Sequence, residues 1–255
     1  MLNMIQAEMF KLRLNKSFWV ILLTSLVLSA VMHYLAITEW WQVYNTPFDA
    51  AGLSEMNGLS MFMAPLFFNL MIGTLAAFYI STDFGPSGVI KNQIISGKNR
   101  KLIYFAKYIV YSAAAVVIAV LIPAVTGIIL NIIMGNGGIF TFETITYLLG
   151  AYSLFSLQVL GYTAIISLLA VITEDSGKTI IFSILFTIVM YIVEKMPKSG
   201  IIERIYEYSI FQQFNQVLFP ELGIESIMTG LAVGLITMAV LLFIGMIVFS
   251  KKEIK

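Results

Sequence analysis

Apolar residues in this chain come in long runs, and polar residues are gathered into the stretches between them. Six runs have, or nearly have, the roughly 20 residues that a bilayer-crossing helix needs: residues 18–37, 61–81, 107–134, 145–172, 179–193 and 227–250. The fifth is short, so it is expected to tilt little or to finish inside the interface. The pattern predicts an all-α integral membrane protein with six transmembrane helices, forming one domain over residues 1–255.

Three segments outside these runs keep helical periodicity without the length to span. In residues 1–16, Leu2, Ile5, Met9 and Leu12 fall on one stripe, with Gln6, Lys11 and Arg13 turned elsewhere. That is the pattern of a helix lying on a membrane surface before the chain enters the bilayer. In residues 81–107, Gly85-Pro86-Ser87-Gly88 should break the second span, because proline cannot continue the helical ladder. Val89, Ile90, Ile94 and Ile95, with Lys91, Asn92 and Gln93, then form a short amphipathic helix ended by Gly97. In residues 197–226, Ile201, Ile202, Ile205, Tyr208, Phe211, Phe214 and Leu218 recur at helical spacing among acids and glutamines. This segment is too polar to span and too apolar for water, and it is expected to dip partly into the outer leaflet or to cover the outer mouth.

Composition agrees with the pattern. Hydrophobic residues make up 59% and charged residues 11%, and the mean hydropathy of +0.92 is more than a water-soluble domain could cover with polar surface. With no cysteine, disulfides, thiol nucleophiles and cysteine-ligated metals are excluded. No cleavable leader is expected ahead of the first run.

Charge sets the expected orientation. Lys11, Arg13 and Lys16 precede the first span, Lys91, Lys98, Arg100, Lys101 and Lys107 fall between the second and third, and Lys251, Lys252 and Lys255 close the chain. The loops at 38–60 and 135–144 carry Glu39, Asp49, Glu55 and Glu143 and no basic residue. Basic loops stay in the cytoplasm, so both termini are expected there. Lys195, Lys198 and Arg204 fall on the opposite side beside Glu194, Glu203 and Glu207, where they read as a charge-paired surface. Trp40 and Trp41 suit an outer interfacial belt.

Catalytic chemistry finds little support. Ser176-Gly177-Lys178-Thr179 ends like a phosphate-binding loop, but that loop requires a glycine five residues before Gly177, where Ile172 stands, and a preceding strand. A tight polar turn between helices is expected there instead. His33 lies near the outer end of the first span without further metal ligands and reads as an interfacial side chain. Ser153, Ser156 and Ser167 have no identifiable base. Asn69, Asn131 and Gln158 interrupt apolar helices; such amides hydrogen-bond between helices or line a substrate path.

Six spans, the N-terminal stretch AEMFKLRLNKSFW, and a first basic loop with Asp83, Gly88, Ile95, Arg100 and Lys107 together resemble the ABC-2 type permeases. The chain departs from that pattern in having Asp83 where glutamate is common and Gly97 where proline often stands. The resemblance implies a separate ABC ATPase, present in two copies, that binds the ATP and magnesium, with no cofactor on this chain. It implies a second permease copy or a sister permease, and a coupling surface of Gly88, Lys91, Asn92, Ile95, Arg100 and Lys101. It also implies a bacterial plasma-membrane exporter of amphipathic or antimicrobial peptides or other lipophilic compounds, akin to phenol-soluble modulin exporters or lantibiotic-immunity permeases. No nucleic-acid partner is expected. The competing reading is a membrane receptor or immunity protein that binds peptide at the outer face, through residues 201–219, without pumping.

Overall fold

The computed structural model describes residues 1–85, 88–196 and 200–253, and only the backbone of Ile201 and Ile202. Pro86 and Ser87 of the expected break, Lys198 of the dissenting charges and Lys255 at the end lie outside the described residues. Helices run in the order α1 (Leu2–Leu14), α2 (Lys16–Ile37), α3 (Pro47–Ala50), α4 (Gly58–Met63), α5 (Pro65–Tyr79), α6 (Val89–Ile95), α7 (Arg100–Val116), α8 (Ile122–Ile133), α9 (Phe142–Thr173), α10 (Ser176–Lys195), α11 (Ile201–Glu207), α12 (Ile210–Gln216) and α13 (Ile224–Lys251). No strand occurs among the described residues. Among the described residues, six helical segments are long and apolar enough to cross a membrane: α2, Pro65–Phe84, Arg100–Ile133, α9, α10 and α13. Their alternation puts α1, α6, the α9–α10 turn and the end of α13 at one end of the bundle, and α3, α4, α11 and α12 at the other.

The spans differ from the expected boundaries at three places. The second begins at Pro65, because Ala64 is extended and the proline opens a new helix; residues 61–63 belong to the separate α4. The third starts at Arg100 and runs 34 residues, which places Lys107 within the helix and not ahead of it. The fifth is a full 20-residue helix, started by the Asp175 side chain accepting from the Lys178 amide. Ser176-Gly177-Lys178-Thr179 is therefore the first turn of α10, reached from a helix through Glu174 in the left-handed conformation.

A π-helical turn, Val117–Leu121, joins α7 to α8. Pro123 cannot donate to a carbonyl one turn back and its ring crowds that position, and a widened turn accommodates both demands. The Ser25 hydroxyl of α2 takes up the Ile118 carbonyl at 2.8 Å.

Elsewhere the spans approach through small and hydroxyl-bearing residues, as helices in lipid do. Between α5 and α10, Gly73 faces Ser183, whose hydroxyl would lie 2.5 Å from an added Cβ, and Ser81, just after α5, bonds Thr179 of α10 at 2.8 Å. Between α9 and α13, an added Cβ on Gly234 would fall 2.7 Å from Leu157. Between α7 and α13, the Tyr104 ring occupies the space above Gly245 and its hydroxyl bonds Ser167 of α9 at 2.9 Å.

His33 corrects the interfacial reading. It is fully buried, donates from Nδ1 to the Ser29 carbonyl at 2.8 Å, and stacks on Phe62. Gly58 and Gly127 leave room for it, since a Cβ on either would fall within 3 Å of its atoms. In the segment after the fifth span, Ile205 and Tyr208 are exposed, while Phe211, Phe214 and Leu218 are buried. The α12 rings enter a cluster with Phe68, Phe155 and Tyr162, with Phe68 and Phe214 centroids 4.8 Å apart.

Gly245→Ala should force Tyr104 aside and lower stability by about 1–3 kcal/mol, read as thermal unfolding in detergent. Adding Tyr104→Leu should recover part of the loss; no recovery would mean that α13 does not pack where it is placed here.

Candidate functional site

The first helix is held at its C-terminal end by its own sequence. Leu12 is buried on its inner stripe. Asn15, between α1 and α2, accepts from the Phe18 amide and donates to the Phe78 carbonyl at 3.1 Å. The elbow is thereby fastened to the last turn of α5. On the same inner stripe as Leu12, one turn earlier, stands Glu8, and Lys11 follows it.

Glu8 and Lys11 meet two further charges there. One Glu8 oxygen accepts from Lys107 of α7 at 2.9 Å and from Gln93 of α6 at 2.8 Å. The other accepts from the Tyr79 hydroxyl at 2.8 Å and lies 3.6 Å from the Lys11 ammonium. A single oxygen of Asp83, in the 3-10 turn Ser81–Phe84 after α5, accepts from both Lys11 and Lys107. Lys11 also donates to the Tyr79 carbonyl at 3.1 Å and sits over the Tyr79 ring. Two anions and two cations thus balance, drawn from α1, the Asp83 turn and α7, with Gln93 of α6 attached.

Burial decides the energetics of this group. Lys107 is 1% exposed and Glu8 2%, and an isolated charge at such a place is prohibitive. Burial pushes the Glu8 carboxyl up, but the ammonium of Lys107, then that of Lys11, and the bond from Gln93 outweigh it and hold the group at about 2. For Lys11, burial and the neighbouring Lys107 push the ammonium down, and Asp83 and Glu8 recover only part, leaving it at about 8. The attraction of Asp83 is divided between two lysines, and Lys11 is the one left under-compensated.

The residues expected to form a coupling surface fall into two groups. Asn92, Ile95 and Lys101 are open at the bundle end, Ile95 at 82%, and Lys91 is half-buried. Gly88 and Arg100 are turned inward. A Cβ on Gly88 would lie 2.2 Å from the Asp83 carbonyl, so α6 starts directly on the backbone of the Asp83 turn, and buried Ile90 holds it there. Arg100 donates to the Lys252 carbonyl at 2.6 Å, closing the end of α13. Lys252 donates in turn to the Ile172 carbonyl at 3.1 Å and pairs with Glu174 at 3.1 Å. Cations at helix C-termini satisfy the last carbonyls and the dipole, and here they chain α7 to α13 and α13 to α9.

The three amides set apart in the sequence are buried in separate interfaces. Asn131 donates to the Gly127 carbonyl at 3.0 Å and the Glu55 carbonyl at 3.2 Å. Gln158 donates to the Gly230 carbonyl at 2.7 Å. Asn69 lies on α5 near Gly73, toward α10. On the opposite face, Lys195 pairs with Glu194 at 2.9 Å.

Sequence reasoning left Glu8 and Gln93 out of the site, counted Lys107 as a topological charge and turned Lys11 outward. The available signal was an acid on the Ile5–Leu12 stripe and a lysine on the Ile103–Tyr104–Tyr111 face. Each is a charge on an apolar stripe, and the two are opposite in sign.

Against models of known families, the chain matches that of the ABC-2 family transporter protein over residues 4–194. No curated protein gives a match.

Lys107→Met should lower stability by about 3–5 kcal/mol, the range for removing one partner from a buried ion pair. Glu8→Gln combined with it should lose less than the sum of the single changes. Because the Glu8 pKa falls on folding, its contribution is fully present above 4.5 and is lost as pH drops toward about 2. Lys11 acts in the opposite sense, disfavouring the fold below about 8, with stability recovering as pH rises toward 10.5. Thermal unfolding of the wild type against pH, with Glu8→Gln lacking the acid limb, checks the assignment.

Proposed function

The chain belongs to the ABC-2 family of transporter proteins, and on that premise we propose that the α6 end receives the movement of an ABC ATPase and passes it into the bundle. As a family member the chain is the membrane permease subunit of an ABC transporter, and ATP hydrolysis belongs to a partner subunit. The observation that carries the coupling reading is the double attachment of α6. Its first residue rests on the Asp83 turn through Gly88, and its Gln93 bonds Glu8. Ile95, with Asn92 and Lys101, remains open for the partner.

A push on α6 then has short, stiff routes inward. Through Asp83 and Glu8 it reaches Lys107 of α7 and draws α1 along. Through Arg100, Lys252 and Glu174 it reaches α13 and α9. Charge-assisted bonds suit this task because they are about twice as strong as neutral ones and fixed in direction. The density of basic residues at this end, including Arg13, Lys16, Lys98 and Lys101, supports its placement in the cytoplasm.

Our reading of the cargo is an amphipathic peptide or another lipophilic compound, exported from a bacterial cell by two permease copies and two ATPases. A groove of about 570 Å³ between α8 and α9, lined by Val120, Leu121, Val125, Ile128 and Leu149 among others, supports a lipophilic cargo. Its volume falls within the roughly 300–1,000 Å³ of ligand sites.

Inverted vesicles carrying the permease with its ATPase, and a labelled amphipathic peptide, test this function. Wild type should show ATP-dependent uptake, and Ile95→Glu, at an exposed position that leaves the fold intact, should reduce it at least tenfold. Undiminished uptake in that variant would refute the coupling role. No ATP-dependent uptake by the wild type would favour a peptide-binding membrane protein that does not pump.

A further inference from the structure

We propose that the groove between α1 and α6 binds the headgroup of an anionic phospholipid, with the lipid phosphate on the Lys11 ammonium. The groove has a volume of about 460 Å³. Phe10, Leu14 and Val89 give it an apolar wall, and Lys11, Glu8 and Gln93 a polar one. Such a division matches an amphiphile, with chain along one side and headgroup on the other.

Lys11 is the charge within reach. Its side chain is 24% exposed, whereas those of Glu8, Asp83 and Lys107 are at most 5% exposed. An ammonium has three donors. Two of those on Lys11 are directed to the Tyr79 carbonyl and Asp83, and Glu8 at 3.6 Å is beyond hydrogen-bond range. The shared Asp83 oxygen leaves Lys11 short of negative charge, in keeping with its pKa of about 8. A phosphate oxygen would take the third donor and supply that charge. Glu8 does not repel it strongly, because Lys107 lies against that carboxylate at 2.9 Å.

Position argues for lipid as the source. Phe10 and Leu14 are 65% and 67% exposed, and the first span starts just after them, at Lys16. The groove therefore lies at headgroup depth, next to apolar side chains that face the bilayer. Arg13 and Lys16 are exposed on the adjoining turns and add to the attraction for an anionic surface. Only the choice of leaflet, the cytoplasmic one, rests on the transporter reading above.

Native mass spectrometry of the full chain, purified in detergent with equal phosphatidylglycerol and phosphatidylcholine, reads the site without any ATPase. A failure of coupling therefore leaves this result untouched, and the reverse holds too. Wild type should retain one phosphatidylglycerol in preference to phosphatidylcholine by about fivefold, the effect of one lysine near a lipid surface. Lys11→Gln should bring the ratio close to one. Because that change also disturbs the buried charges, Phe10→Glu, at an exposed lip of the groove, is the deciding variant and should abolish the preference as well. Equal retention of both lipids by the wild type, or an undiminished preference in Phe10→Glu, would overturn the proposal.

Discussion

Lys107 can be buried in α7 only because Glu8 and Asp83 come to it, and Glu8 can leave water only because Lys107 and Lys11 are waiting. Each charge is intolerable without the others, since desolvating one ion outweighs anything a helix surface could return. The group therefore forms as a whole, and in forming it fixes three pieces of chain that have little else in common. The first helix is docked against α7, the turn after α5 is pinned, and α6 is attached by Gln93 and by its contact with the Asp83 backbone.

This arrangement contrasts with the rest of the bundle. The α5–α10 and α9–α13 seams are built from glycine, serine and threonine, whose contacts are close but individually weak. Such seams can shift by small steps without uncovering a charge. The charged group cannot, because a displacement of a few ångströms would leave an ion bare in a dry site. On the proposed coupling reading, a motion imposed at α6 would be carried as a unit by α1, the Asp83 turn and the start of α7, and would yield along the small-residue seams. The chain of caps from Arg100 to Lys252 to Glu174 adds a second connection at the same end.

Much of the architecture could be read from local features. A run of about 20 apolar residues has few fates other than a span, and the short amphipathic helix after Gly88 followed from its own periodicity. The boundary errors came from single residues: Pro65, which opens a helix inside an apolar run, and Lys107, which stands next in line after four other basic residues. A lysine at the edge of a span looks the same whether it faces water or an acid. The distinguishing acid, Glu8, lies 99 residues away, beyond any periodicity. The burial of His33 likewise depends on Gly58 and Gly127, each on another helix or its flank. Function was legible to the level of a transporter family, because the interfacial helix and basic loop are sequence features. The buried charges that join them are a property of the fold.

The central claim, that α1 and α6 move as one unit, is tested most directly by spin-label distances in the assembled transporter. A label at exposed Ser96, beyond α6, is paired first with one at Leu2 of α1 and then with one at Lys178 of α10, before and after trapping with ATP and vanadate. The account predicts an unchanged Ser96–Leu2 distance and a shifted Ser96–Lys178 distance. A change between Ser96 and Leu2 would show that α6 moves independently of the first helix, and would contradict it.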